Sequence, residues 1–123
     1  MLWGAIGAGL MALGVMLGAF GAHALKERLD AYSLDVYQKA VFYHLVHALG
    51  ILIVAAFFRA GVLTESACTT VCALLLTGIV LFSGSLYLLA LTGSRGFGAV
   101  TPFGGLAFIA AWLLLAYRLL RAG

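Results

Sequence analysis

Charged residues are scarce in this chain of 123 residues. Only seven Lys or Arg and four Asp or Glu occur, together 9% of the sequence, whereas 65% of the residues are hydrophobic. A soluble domain carries about a quarter charged and about half apolar residues. A soluble core could not hide this much apolar surface. The composition therefore excludes a soluble globular protein and predicts that lipid surrounds most of the chain.

Several chemical motifs are also missing. The net charge of +3 arises without a dense basic run, which argues against nucleic-acid binding. The two cysteines, Cys68 and Cys72, stand four apart with no CxxC or zinc-site spacing, so we interpret them as small packing groups. Ser83 or Ser85 could pair with His47 as nucleophile and base. No acidic residue within the membrane is available to orient the histidine, so we predict no enzyme.

Long hydrophobic runs, by contrast, fill the chain. They predict an all-α fold, with one domain over residues 1–123 that forms an integral membrane bundle of four transmembrane helices joined by short loops. The first run is expected to be a retained helix rather than a signal peptide, because no Lys or Arg precedes it and it is too long. The predicted spans are about 2–24, 34–58, 66–91 and 102–120.

Polar residues predict where three of the helices begin. Ser33 is the expected cap of the second helix and Thr64 that of the third. Thr101 is the expected cap of the fourth, with Pro102 at the first helical position, where its missing N–H is harmless. Within the third span, the run Phe82–Tyr87 contains a glycine between two hydroxyls, which interrupt the aliphatic helix and predict either a bend or room for a neighbouring helix.

Four glycines of the first span fall within a narrow arc of the helical wheel, and two of them form a GxxxG pair. Such a stripe lets the backbone of another helix approach closely, which is how helices associate in lipid. We therefore predict that the stripe packs against a helix and that it offers the contact for a homo-oligomer. The glycine stripe consists of Gly7, Gly14, Gly18 and Gly21.

Polar side chains inside the spans collect on one side of the membrane. Consecutive helices alternate in direction, so the end of the first, the start of the second, the end of the third and the start of the fourth share that side, and the opposite half is almost entirely aliphatic. Ionisable groups at membrane depth are candidates for a functional site. The candidate ligand-binding residues at this polar pole are His23, Tyr43, His44, His47, Ser83, Ser85, Tyr87 and Thr101.

The three histidines admit three interpretations. They could be neutral rings hydrogen-bonded to neighbouring helices, ligands of a metal or of haem iron, or part of a site for a small molecule, a lipid headgroup or a proton. Tyr43, His44 and His47 are expected on one face of the second helix, with His47 the deeper and more central histidine. No carboxylate or cysteine joins them within the membrane at that pole, so no cofactor is predicted.

Four motifs, in this order along the chain, resemble one family: GAFGAHAL from Gly18, HAL from His47, FSGSLY from Phe82 and VTPFGG from Val100. They resemble the small membrane proteins catalogued as domain of unknown function 423, a family that includes the animal transmembrane protein 256. The resemblance covers essentially the whole chain. It implies a four-span protein, in bacteria usually of the inner membrane, with no established activity.

The sequence thus predicts a multi-pass protein of the cell inner membrane whose surroundings are the lipid bilayer. We expect it to bind or transport a small molecule or a lipid headgroup through the polar pole, as an oligomer. Two alternatives stay open: a structural or accessory subunit of a larger membrane complex, and a histidine-based metal or haem site. The first span has no Lys or Arg before it and has Lys26 and Arg28 soon after it, which predicts a cytoplasmic polar pole.

Overall fold

The structure, a computed structural model, describes residues 1–123 and contains no strand. Two π-helical turns and one 3-10 helix join the α-helices: Gly21–Leu25 continues the first, Ile79–Ser83 joins the third to the fourth, and Arg95–Ala99 precedes the fifth. The α-helices are α1 (Leu2–Phe20), α2 (Ala31–Arg59), α3 (Glu65–Gly78), α4 (Gly84–Thr92) and α5 (Thr101–Ala122).

These elements form four segments long and apolar enough to cross a membrane. They contain between 24 and 29 residues, or about 36 to 44 Å of helix against a hydrocarbon core of about 30 Å. The prediction of an all-α, four-span protein is therefore confirmed, and the spans extend beyond the predicted bounds. They are Leu2–Leu25, Ala31–Arg59, Glu65–Thr92 and Arg95–Ala122.

The start of α2 differs from the prediction, because Asp30 and not Ser33 is the cap. The Ser33 backbone N–H donates to Asp30 Oδ1 at 2.7 Å, so the helix begins at Ala31. This hydrogen bond, with a further one from the Ser33 hydroxyl, holds the pKa of the Asp30 carboxyl below its usual range. Asp and Ser are equally good caps, and only three residues separate them. The sequence alone therefore does not decide which of the two caps α2.

The other two predicted caps have different outcomes. Thr64 caps α3 as expected, since its hydroxyl accepts from the Ala67 backbone N–H at 3.2 Å. Thr101 is not a cap: α5 begins at Thr101 itself, with Pro102 in its first turn and no capping side chain. The Thr101 hydroxyl instead bonds to Ser85 on α4, because that partner lies within the bundle.

The glycine stripe packs against α2 of the same chain. A Cβ on Gly14 would lie 2.6 Å from Leu45 Cδ2, and one on Gly7 would lie 3.0 Å from Leu52 Cγ. Gly18 and Gly21 face α2 in the same way. Helix packing thus occupies the face that was expected to carry an oligomer contact. Homo-oligomerisation stays a prediction, and it would have to use another face.

The main hydrophobic core lies between α2, α3 and α5. Cys68 and Cys72 are buried in it as free thiols that point at backbone carbonyls of α2. Two glycines allow large rings of α5 to enter this core, since a Cβ on Gly78 would overlap the Phe108 ring and one on Gly50 would lie 2.9 Å from the tip of Trp112. The core is therefore apolar and closely packed on the side away from the polar pole.

The third span changes from α-helix to a π turn near its middle, at Ile79–Ser83. There the Gly84 backbone N–H donates to Ile79 O, five residues earlier, which is the hydrogen bond of a π turn. Gly104 of α5 sits directly on this turn, because a Cβ at that position would lie 2.7 Å from Phe82 Cα. The predicted interruption of the helix is thus a π turn, and it begins before the Ser-Gly-Ser run.

Candidate functional site

The three polar rings of α2 face different neighbours. His44 points towards α1 and α4, where it bonds to Leu10 and Tyr87, whereas His47 points towards α5, where it stacks on Phe108. The expectation of one shared face was therefore wrong for the two histidines. Residues three apart diverge by about 60° around a helix, and three neighbouring helices surround α2 closely enough to separate them.

His44 joins three helices through both of its ring nitrogens. Nε2 lies 2.8 Å from Leu10 O, and Nδ1 lies 2.9 Å from the Tyr87 hydroxyl. A carbonyl only accepts, so Nε2 carries the proton, and in the neutral ring Nδ1 accepts from the Tyr87 O–H. The ring is 2% exposed, and both of its nitrogens are paired. His44 is thus a structural clamp with no lone pair left for a metal, and it is more central to the network than His47.

The serine hydroxyls are also paired. Ser83 Oγ donates to Ala40 O at 2.8 Å, which ties the π turn to α2. Ser85 Oγ donates to Phe82 O at 2.9 Å and accepts from the Thr101 hydroxyl at 2.6 Å, because its single proton is used on the carbonyl. Neither serine bonds to a histidine, so the nucleophile and base considered from the sequence are not brought together.

Tyr37 belongs to the same network, although the sequence did not single it out. Its hydroxyl donates to Leu17 O at 2.5 Å, its ring lies 5.4 Å from that of Tyr87, and it is 1% exposed. The available signal was its spacing of seven residues from His44, which places both on one side of α2. Tyr37 therefore links α2 to α1 near the polar pole.

His23 stands apart from the other predicted residues. It is exposed on the π turn Gly21–Leu25 and makes no hydrogen bond to them. No group of three or more His, Cys, Asp or Glu side chains comes close enough to hold a metal ion. The three histidines therefore do not converge: His23 lies outside, His44 is paired, and His47 faces another helix. The metal or haem alternative stays a prediction.

His47, unlike His44, has one ring nitrogen without a hydrogen-bond partner in the chain. Its Nδ1–H donates to Tyr43 O at 2.7 Å, which leaves Nε2 as an acceptor without a partner in the chain. All fully enclosed side-chain nitrogen and oxygen atoms are hydrogen-bonded. Nε2 must therefore lie where the ring, 6% exposed, meets the outer surface. Nε2 of His47 is thus an accessible acceptor without a partner in the chain, and the neighbouring Tyr43 hydroxyl also makes no hydrogen bond within the chain.

Aromatic rings surround the ring of His47. Phe108 stacks on His47 with ring centres 3.5 Å apart, and the ring of Tyr43 is nearly parallel at 5.9 Å. The Trp112 ring centre lies 5.8 Å away, and its indole N–H also has no partner in the chain. Tyr43 and Trp112 are 38% and 36% exposed, respectively. We call this lateral surface of α2 and α5 the His47 patch, formed by Tyr43, His47, Phe108 and Trp112.

The His47 patch carries no charge and lies deep in the membrane. Lys39, paired with Asp35 at 2.9 Å, is the nearest charged position along α2 towards the polar pole. At ~1.5 Å per residue, His47 lies about 12 Å beyond Lys39 and about 18 Å before Arg59. The patch therefore lies well inside the apolar part of the second span.

The two main cavities lie away from the two buried histidines. One of about 180 Å³ lies at the opposite end, between the start of α1, the end of α2 and the start of α3. The other, of about 130 Å³, lies between α1 and α2, where Tyr37 lines it. His44 and His47 line neither of these cavities.

Comparison with known proteins agrees with this architecture. The chain is 47% identical over 116 residues to UPF0382 membrane protein YwdK of Bacillus subtilis, covering 94% of this chain and 90% of that protein. It is 41% identical over 112 residues to UPF0382 inner membrane protein YgdD of Escherichia coli K12, covering 89% and 84%. No solved structure matches the chain.

The relatives and the four spans together establish an integral, multi-pass protein of the inner membrane. The matching family model bears the description "Protein of unknown function (DUF423)" and covers residues 17–105. This range includes the polar side chains of the hydrogen-bond network and two of the four residues of the His47 patch, Tyr43 and His47. By this match, and by its identity to the two membrane proteins along almost their full length, the chain belongs to the DUF423 family.

Proposed function

We propose that this membrane protein binds a small molecule that reaches it through the bilayer, at the His47 patch. One observation carries the proposal: the Nε2 atom of His47 is an unpaired acceptor well inside the apolar part of the second span, whereas the other buried polar side chains are paired. A lone acceptor without a donor costs about 1–3 kcal/mol. Lipid tails supply no donor, so a bound molecule would remove that cost.

The rest of the network supports a binding role over conduction. His44, Ser83 and Ser85 are saturated by hydrogen bonds within the chain, and none of them lines either of the two main cavities. The polar atoms without a partner lie instead on the lateral surface, which supports binding there over transport through the bundle. The candidate ligand therefore enters sideways from the lipid.

Native mass spectrometry of the protein in lipid nanodiscs tests the proposal. The protein purified without a His tag is expected to retain a small-molecule mass. His47→Phe should lose it because the acceptor is gone. His23→Phe is the matched control, since His23 is exposed and outside the network. Equal retention by the His47→Phe and wild-type proteins would refute the proposal, and the same spectra report any homo-oligomer.

A second candidate function is an accessory subunit of a larger membrane complex. The saturated network of α1, α2 and α4 favours it, because such a network makes the bundle a rigid body whose outer faces are set for docking. Recovery of the chain as a monomer with a defined set of other membrane proteins, and without bound small molecule, would favour this function over the first.

A further inference from the structure

We infer that the ligand of the His47 patch is an uncharged, bilayer-soluble molecule whose flat ring carries a hydroxyl group. The inference rests on the proposed function and adds the chemical class of the ligand. Three features of the patch carry it: the fixed tautomer of His47, the absence of charge at that depth, and the nearly parallel rings of Tyr43, His47 and Phe108, with the Trp112 ring tilted by 51° against that of His47.

The tautomer of His47 requires a hydrogen-bond donor. Its Nδ1 proton is held by the carbonyl of Tyr43, 2.7 Å away, and a carbonyl has no proton to give. Nε2 is thus fixed as an acceptor. Ethers, esters and ketones offer only lone pairs at this point and would leave Nε2 unpaired. The ligand must present an O–H or N–H.

The depth of the patch requires that the ligand is neutral. No Lys, Arg, Asp or Glu lies between Lys39 and Arg59 along α2, or between Arg95 and Arg118 along the fourth span. A phosphate headgroup or an ammonium brought to this depth would therefore face the cost of a charge in hydrocarbon with no opposite charge to pair with. A hydroxyl group donates without that cost.

The rings of the patch favour a flat partner. His47 and Phe108 are stacked with 13° between their planes, and His47 and Tyr43 with 8°. Flat rings in offset stacks interact more favourably than a flexible chain of the same buried area. An aromatic ligand therefore extends this arrangement at little cost in conformational entropy. The indole N–H of Trp112, whose ring centre lies 5.8 Å from that of His47, is a second polar group of the patch without a partner in the chain.

A matched pair of probes tests the donor requirement. The chain has two tryptophans, and Trp3 bonds to Thr69 near the opposite end, so Trp3→Phe leaves Trp112 as the single tryptophan of the chain. In nanodiscs of zwitterionic lipid, 4-nonylphenol is expected to change Trp112 fluorescence in a saturable way. Its methyl ether, 4-nonylanisole, which lacks only the proton, should bind about tenfold more weakly.

Two variants identify the atom that accepts. His47→Phe should reduce phenol binding to the level of the ether, whereas His47→Gln, which retains a neutral acceptor, should preserve part of the difference. The 15N signal of His47 Nε2 should move on addition of the phenol, while that of Nδ1 stays in place. His23→Phe is again the control, and circular dichroism of each variant verifies that the helices are intact.

The outcomes separate the two proposals. If phenol and ether bind equally, or if dodecyl phosphate binds more tightly than the phenol, the chemical class is wrong. The proposed function survives that result when native mass spectrometry still finds a mass that depends on His47. If His47→Phe changes only the oligomeric state and no small molecule is bound, a second copy occupies the patch and both proposals fall.

Discussion

Replacing Gly104 with alanine is expected to destabilise the bundle strongly, whereas the same change at Gly105 is not. A Cβ on Gly104 would lie 2.7 Å from Phe82 Cα and closer still to the Phe82 backbone nitrogen. These are backbone atoms of the π turn, so no side-chain rotation can relieve the overlap. At Gly105, the nearest atom is an edge carbon of the Phe82 ring at 3.9 Å, which is ordinary contact.

The magnitude follows from two opposing terms. Alanine stabilises a helix by about 1 kcal/mol relative to glycine. Overpacking a close contact costs about 1–3 kcal/mol, and we take the upper value because α5 and the π turn must separate. Gly104→Ala should therefore lower the free energy of unfolding by about 2 kcal/mol. Gly105→Ala should leave it unchanged or raise it by up to about 1 kcal/mol.

Reversible unfolding in mixed micelles of dodecyl maltoside and sodium dodecyl sulfate, followed by far-UV circular dichroism, measures both variants against the wild type. The comparison is well matched because the two glycines are adjacent on α5 and receive the same methyl group. If Gly104→Ala unfolds at the same detergent ratio as Gly105→Ala, the close approach of α5 to the π turn is not present in the folded protein.

Three further predictions concern the polar network, the cap of α2 and the core. A double-mutant cycle with His44→Phe and Tyr87→Phe should give a coupling of about 1 kcal/mol in the same unfolding assay, and additivity would contradict their hydrogen bond. The lowered pKa of Asp30 means that its cap stabilises the start of α2 above the unfolded pKa and is lost as pH falls through the folded pKa. Amide exchange in the first turn should therefore accelerate on acidification, beyond the intrinsic pH dependence of exchange, and this response should be absent in Asp30→Ala. Cys68 and Cys72, buried as free thiols, should react with maleimide only after unfolding, and rapid labelling in nanodiscs would contradict the core packing.

The fold was predictable because lipid leaves few choices. Backbone groups in hydrocarbon must be paired within a helix, so long apolar runs alone define the spans. Their ends were less certain: Asp30 replaces Ser33 as the cap, and Thr101 uses its hydroxyl on Ser85. In the first case two polar groups competed for one role, and in the second one hydroxyl had two possible partners, so only the three-dimensional arrangement decides.

The location of the polar pole was predictable from topology, but the partners of its residues were not. Apolar side chains occur on all sides of α2, so hydrophobic periodicity did not indicate which neighbour each face meets. His44 therefore emerged as the centre of the network in place of His47, and His23 lies outside it. The unpaired atom of His47 follows from the carbonyl four residues earlier, a local contact that sequence spacing does not reveal.

The π turn in the third span has the effect of one inserted residue. A single additional residue turns everything after it by about 100° around the helix axis. Before the turn, the span contributes Cys68, Cys72 and Leu75 to the apolar core; after it, the span contributes Ser85 and Tyr87 to hydrogen bonds with α5 and α2. Deleting one residue within the turn should restore an ordinary α-helix and swing both hydroxyls away from their partners, with the hydropathy of the span unchanged.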